Sequence, residues 1–67
     1  MAPIERVAMR IKALREKRGM TQEALAEQAG LSRTYLARLE TARHDPTLKT
    51  LEKLARALKV KLTDLVR

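Results

Sequence analysis

The 67-residue sequence predicts an all-α fold, a compact bundle of five short helices. Three observations carry that prediction. Glycine and proline occur only twice each and tyrosine is the single aromatic residue, while Ala, Leu, Glu, Lys and Arg dominate, a composition that favours helices over strands. Apolar residues recur at spacings of three and four, with no period-two run. Finally, Thr21, Ser32 and Thr47 each stand just ahead of an apolar-periodic segment, where a hydroxyl oxygen can accept from the unpaired amides of a first helical turn.

The elements follow in order. Helix 1 is expected from Ile4 to Lys17, with Pro3 near its first turn, Val7, Ile11 and Leu14 on one face, and Gly19 as its stop. Helix 2 is capped by Thr21, with Met20 and Leu25 at the spacing of a hydrophobic staple, and ends at Ala29 before Gly30. Helix 3 repeats the device, with Ser32 as cap and Leu31 and Leu36 as staple, and runs to Glu40 or Thr41. The loop "ARHDP" follows. Helix 4, capped by Thr47, carries Leu48, Leu51, Leu54, Ala55 and Leu58 on one stripe, and a short helix 5 sets Leu62 and Leu65 against the rest. No linker, repeat or low-complexity tract divides the chain, so residues 1–67 read as one domain.

Only Gly30 and Leu31 separate Ala29 from the cap Ser32, so helix 3 must cross helix 2 steeply. Residues 21–41 therefore read as a helix-turn-helix. Gly30 suits a turn position with positive φ, and Ala26 is small enough for close helix contact. On helix 3, steps of about 100° per residue place Arg33, Thr34, Ala37, Arg38 and Thr41 on one arc, with Leu36 and Leu39 opposite. The apolar side belongs on the protein, and the polar side is free to enter a major groove of double-stranded DNA. Arg33, Thr34 and Arg38 are the expected base readers: arginine can bond guanine O6 and N7, and threonine offers a hydroxyl and a methyl. A solvated charged face is the alternative.

The charge balance agrees. Fifteen Lys and Arg against eight Asp and Glu give a net charge of +7 and a pI near 10.6, which favours a polyanionic partner. Phosphates suit the start of helix 2, where free amides and the helix dipole attract an anion. Ser32 and Arg43 join the expected phosphate contacts, with a solvated arginine as the alternative for Arg43. Tyr35 lies at the edge of the apolar face, so its ring is expected to pack first and its hydroxyl to reach a phosphate second. Cysteine is absent, which removes disulfides and thiolate metal sites. The one histidine, His44, sits in a polar loop beside Asp45 without a ligand cluster, so neither a metal, a cofactor, a small-molecule ligand nor an enzyme activity is expected. The start, "MAPIERVAMR", lacks an apolar signal core and nothing downstream has the length of a membrane span, so a cytoplasmic protein is the default.

Thr21 and Gln22, "LAEQAGLS" from Leu25 to Ser32, Glu40, Pro46 and "LEKLARALKV" from Leu51 to Val60 resemble the Xre/Cro family of bacterial and phage repressors. These are lambda repressor-like five-helix DNA-binding domains, and the likeness extends to restriction-modification controller proteins and to DNA-binding antitoxins. The resemblance implies a transcriptional regulator in which helices 2 and 3 form the DNA-reading unit. It implies that Gln22 is a phosphate ligand, although Gln is also an ordinary first-turn residue. It implies, too, that Arg15 and Glu40 form a partly buried ion pair tying helix 3 to helix 1; two exposed charges of little worth are the alternative. Ala42 and Lys59 depart from the family, standing where glycine is frequent, and put the loop shapes there in doubt.

A homodimer on a palindromic operator is expected, because so small a domain reads few base pairs alone. Val60, Leu62, Leu65 and Val66 are the expected interface, with some of them serving the core, and two copies of helix 3 should then lie about 34 Å apart. The competing function is an antitoxin or adaptor of the same fold that binds a partner protein. The helix 3 face, with two arginines, no acid and no large exposed apolar group, favours DNA. Membrane-surface binding fits poorly, since the apolar stripes face a shared core.

Overall fold

The computed structural model describes residues 3–67, which form α1 (Ile4–Lys17), α2 (Gln22–Ala29), α3 (Arg33–Glu40), α4 (Leu48–Leu58) and α5 (Thr63–Val66), with no strand among them. Hydroxyl caps fix three of the helix starts. Thr21 Oγ1 accepts from the Ala24 amide at 3.0 Å, Ser32 Oγ from Tyr35 at 3.1 Å and Thr47 Oγ1 from Thr50 at 3.0 Å. Each cap satisfies an amide that its helix cannot, a contribution of about 1 kcal/mol. At α1 the extended Pro3 leads in, and its carbonyl accepts from Arg6 and Val7.

The helix ends share one device. A residue with positive φ follows each of α1 to α4, one or two residues beyond the helix: Gly19 at 68°, Gly30 at 70°, Ala42 at 59° and Lys59 at 58°. The next amide then reaches back five residues, from Met20 to Arg15, Leu31 to Ala26, Arg43 to Arg38 and Val60 to Ala55, at 2.8–3.0 Å. This Schellman closure satisfies carbonyls that would otherwise lack partners. Ala42 and Lys59 thus keep the left-handed turn despite carrying a Cβ, and the doubt over their loop shapes is resolved in favour of the glycine-like geometry. The Cβ crowds a carbonyl in this conformation at a cost of about 1–2 kcal/mol. Ala42→Gly and Lys59→Gly are accordingly expected to stabilise the protein by about 0.5–1 kcal/mol each, after glycine's greater unfolded-state entropy is subtracted. Urea midpoints measure this, and a loss of stability in both variants would contradict strain at these turns.

The core draws on every helix. Ile11, Leu25, Leu36, Leu39, Leu54, Leu58 and Leu65 are fully enclosed, each contributing about 1.5–3 kcal/mol relative to exposure. Helix α2 packs on α3 and α4, while α1 packs on α3, α4 and α5. Met20, Leu31, Leu14 and Leu62 lie half-buried against this cluster.

Two sequence expectations need correction. Leu65 is 0% exposed, so it is a core residue and cannot serve a dimer interface. The reason is the length of α5: a single turn offers one fully inward position, and Leu65 occupies it, with α5 tied to α1 by the Arg10 Nη1 bond to the Asp64 carbonyl at 3.1 Å. Leu48 was expected on the buried stripe of α4 but is 62% exposed. As the first residue of the helix, with its side chain leaning toward the N-terminus, it overhangs the core.

Candidate nucleic-acid interface

The outward face of α3 carries Arg33, Thr34 and Arg38, all exposed, with Thr41 and Arg43 beyond the helix also exposed. Leu36, Leu39 and Glu40 turn inward. The ion pairs among the described residues involve only Arg15 and Arg67 as cations, so Arg33, Arg38 and Arg43 present uncompensated charge to solvent. Thr41 shares the arc, but its hydroxyl donates back to the Ala37 and Arg38 carbonyls at 3.2 Å and closes the helix end.

Behind this face stands a buried polar cluster. Arg15 Nε donates to Glu40 Oε2 at 2.7 Å and Arg15 Nη2 to Glu40 Oε1 at 3.0 Å, a two-pronged pairing between α1 and the last residue of α3. The Glu40 side chain is 1% exposed. The bond to Glu40 raises the Arg15 pKa above the ordinary guanidinium value, against the opposing effect of burial. Arg15 Nη1 donates to the Met20 carbonyl at 2.8 Å, which pins the turn before α2, and Gln22 Nε2 donates to Glu40 Oε1 at 3.1 Å. No buried side-chain polar atom among the described residues lacks a partner.

The residues expected at phosphates lie around the same end. Thr21 takes the Ala24 amide, leaving those of Gln22 and Glu23 without an intrahelical acceptor. An open concavity between the starts of α2 and α3 is lined by Arg15, Thr21, Gln22, Glu23 and Arg33. Ser32 is exposed; its oxygen accepts from Tyr35, and its proton stays available. Tyr35 is half-buried, with its hydroxyl 3.4 Å from Thr50 Oγ1 and its ring edge-on to His44 at a centroid distance of 5.1 Å.

This arrangement has close counterparts. Residues 11–65 match the HTH_3 helix-turn-helix family. The chain belongs to the HTH_3 family. The immunity repressor protein of Bacillus phage phi105 is 50% identical over 60 residues, 90% of this chain and 42% of the repressor, so the chain spans about two fifths of that relative's length. The control protein C.SmaI of Serratia marcescens is 37% identical over 62 residues, covering 92% of this chain and 74% of C.SmaI. The solved restriction-modification controller protein C.AhdI from Aeromonas hydrophila superposes with a TM-score of 0.91 at 32% identity, over 92% of this chain and 94% of C.AhdI.

In this HTH_3 chain, sequence reasoning missed two features. The bond from Gln22 to Glu40 joins residues 18 positions apart, and a sequence signal for it existed only as a carboxamide at the first turn of the helix preceding α3. Leu48 borders an apolar groove shared with Ile4, Val7, Leu51, Leu62 and Val66. Its exposure follows from its place at the helix start, which a stripe drawn by angle alone ignores. Among the described residues no helix is long and apolar enough to cross a membrane.

Proposed function

We propose that the chain is a sequence-specific double-stranded DNA-binding transcriptional regulator that inserts α3 into the major groove. The observation that carries this reading is the acid-free arc of Arg33, Thr34 and Arg38, held rigidly from behind by the Arg15–Glu40 pair. Those three side chains read base edges, while Gln22, Ser32, Tyr35 and Arg43 meet phosphates. Tyr35 contributes mainly as a packed ring, since its hydroxyl already faces Thr50. Selection of bound sequences from a random duplex pool tests the reading: a defined motif supports it, and an unenriched pool overturns it.

The regulator acts as a homodimer on a palindromic operator. The described residues hold one reading helix, α3, so a palindromic operator with half-sites roughly 34 Å apart takes two copies. The apolar groove bordered by Leu48 is the surface that suits this role, with Leu62 and Val66 retained from the expected interface and Ile4 and Leu48 added. Val60 lies half-buried by the end of α4, outside the residues lining that groove. In a two-fold pairing, each Leu48 fills the partner's groove. Leu48→Asp is expected to shift the protein to monomer in sedimentation at micromolar concentration while leaving its helicity intact, because the side chain is already 62% exposed. An unchanged dimer in that variant would place the interface elsewhere.

A further inference from the structure

We propose that Glu40 is a positioning residue for the Gln22 carboxamide, so that the ion pair anchoring the reading helix also sets the donor geometry at the start of α2. The inference rests on the reading of Gln22 as a phosphate ligand and adds what aims it. An ionised carboxylate only accepts hydrogen bonds. Glu40 Oε1 receives Arg15 Nη2 at 3.0 Å and Gln22 Nε2 at 3.1 Å, so the Gln22 amide nitrogen must face Glu40 and its oxygen must face away.

Glu40 cannot follow Gln22. Its side chain is almost wholly enclosed, and its second oxygen is held by Arg15 Nε at 2.7 Å. Gln22 is half-buried at the mouth of the concavity, so the less mobile partner dictates the position of the freer one. One amide proton of Gln22 is committed to Glu40, and the second is left for an oxyanion beside the Gln22 and Glu23 backbone amides. Arg15 Nη1 holds the Met20 carbonyl, immediately before the Thr21 cap. The first turn of α2 and the last residue of α3 are therefore registered through one carboxylate. A side chain ordered before contact spares the binding step that ordering cost.

The test exploits a peculiarity of the sequence: Gln22 and Gln28 are its only side-chain carboxamides, as it contains no asparagine. In the free protein, the Gln22 NH2 proton that faces Glu40 is expected to exchange with solvent about fivefold more slowly than its counterpart on the exposed Gln28, the protection of one hydrogen bond. Binding to a duplex of arbitrary sequence at low salt supplies the second readout, since phosphate contacts ignore sequence. Gln22→Ala is expected to lower that affinity about fivefold. Glu40→Asp keeps a charge opposite Arg15 but cannot span both partners; it is expected to lower affinity by the same factor, and by nothing further in the Gln22→Ala background. A Glu40-facing Gln22 proton that exchanges as fast as its Gln28 counterpart overturns the proposal, and that measurement decides alone where Glu40→Asp fails to fold. Equal losses from Glu40→Asp in both backgrounds also overturn it, because Glu40 would then act only through the fold. A wild-type protein without duplex affinity refutes the DNA reading itself.

Discussion

Arg15→Met is expected to destabilise the protein by about 3–5 kcal/mol, the cost of leaving a buried carboxylate without its counter-charge. A domain of this length has about 3–10 kcal/mol of stability in total, so the loss removes a third or more of it and unfolds the variant outright at the lower end of that range. The magnitude follows from geometry. Glu40 is enclosed, both of its oxygens accept from Arg15, and the same guanidinium also holds the Met20 carbonyl. A surface pair of similar length would contribute under about 1 kcal/mol. The double variant Arg15→Met with Glu40→Leu is expected to regain most of the loss, since apolar side chains of similar volume can replace a buried pair at little net cost. Thermal and urea unfolding of the two singles and the double close the cycle. A single-variant loss under about 1 kcal/mol would class the pair with exposed ones and remove it as the anchor of α3.

Much of this architecture was legible because it depends on short-range chemistry. Thr21, Ser32 and Thr47 cap through hydroxyls three residues from the amides they satisfy, a distance the sequence displays directly. The arc of α3 follows from helix periodicity alone. What escaped depends on where elements stop and on which neighbours they meet. Leu65 reads from the sequence both as packed against the bundle and as part of an interface, because apolar residues near the end of the chain outnumber the faces of so short a helix; the packing of α5 on α1 and α4 decides for the core. Leu48 obeys the angular stripe of α4 yet projects past the core's edge. Ala42 and Lys59 show the reverse case. Their side chains argue against a left-handed turn by roughly 1–2 kcal/mol, but each closure satisfies helix-end carbonyls and turns the chain toward the next packed element, so tertiary structure overrides local preference. Gln22 and Glu40 lie on different helices, and their contact became visible only once the crossing of α2 and α3 was fixed.

Duplex binding is expected to weaken by about a thousandfold between roughly 50 and 200 mM salt. In the proposed dimer Arg33, Arg38 and Arg43 bring three uncompensated cations per copy to the DNA face, about six in all, and a cation seated in the groove displaces condensed counterions from the flanking phosphates even where its hydrogen bonds go to a base edge. Counterion release then gives a log–log slope near −5, and a fourfold rise in salt accounts for the thousandfold loss. Gln22, as the proposed phosphate ligand, carries no charge, so Gln22→Ala is expected to leave this slope unaltered. The arginines divide by what they touch. Arg43→Ala should lower affinity by a similar factor on every duplex and make the slope shallower by about 2 in the dimer, as expected for a phosphate contact. Arg38→Ala should instead flatten discrimination at one base pair, a guanine contact, by about 1–3 kcal/mol, and cost far less on unrelated sequences. Titrations of each variant on a selected operator and on a scrambled duplex, at several salt concentrations, separate the two roles. A uniform loss for Arg38→Ala reassigns that residue to the phosphate backbone, and a wild-type slope near zero removes the electrostatic basis for DNA binding through this face.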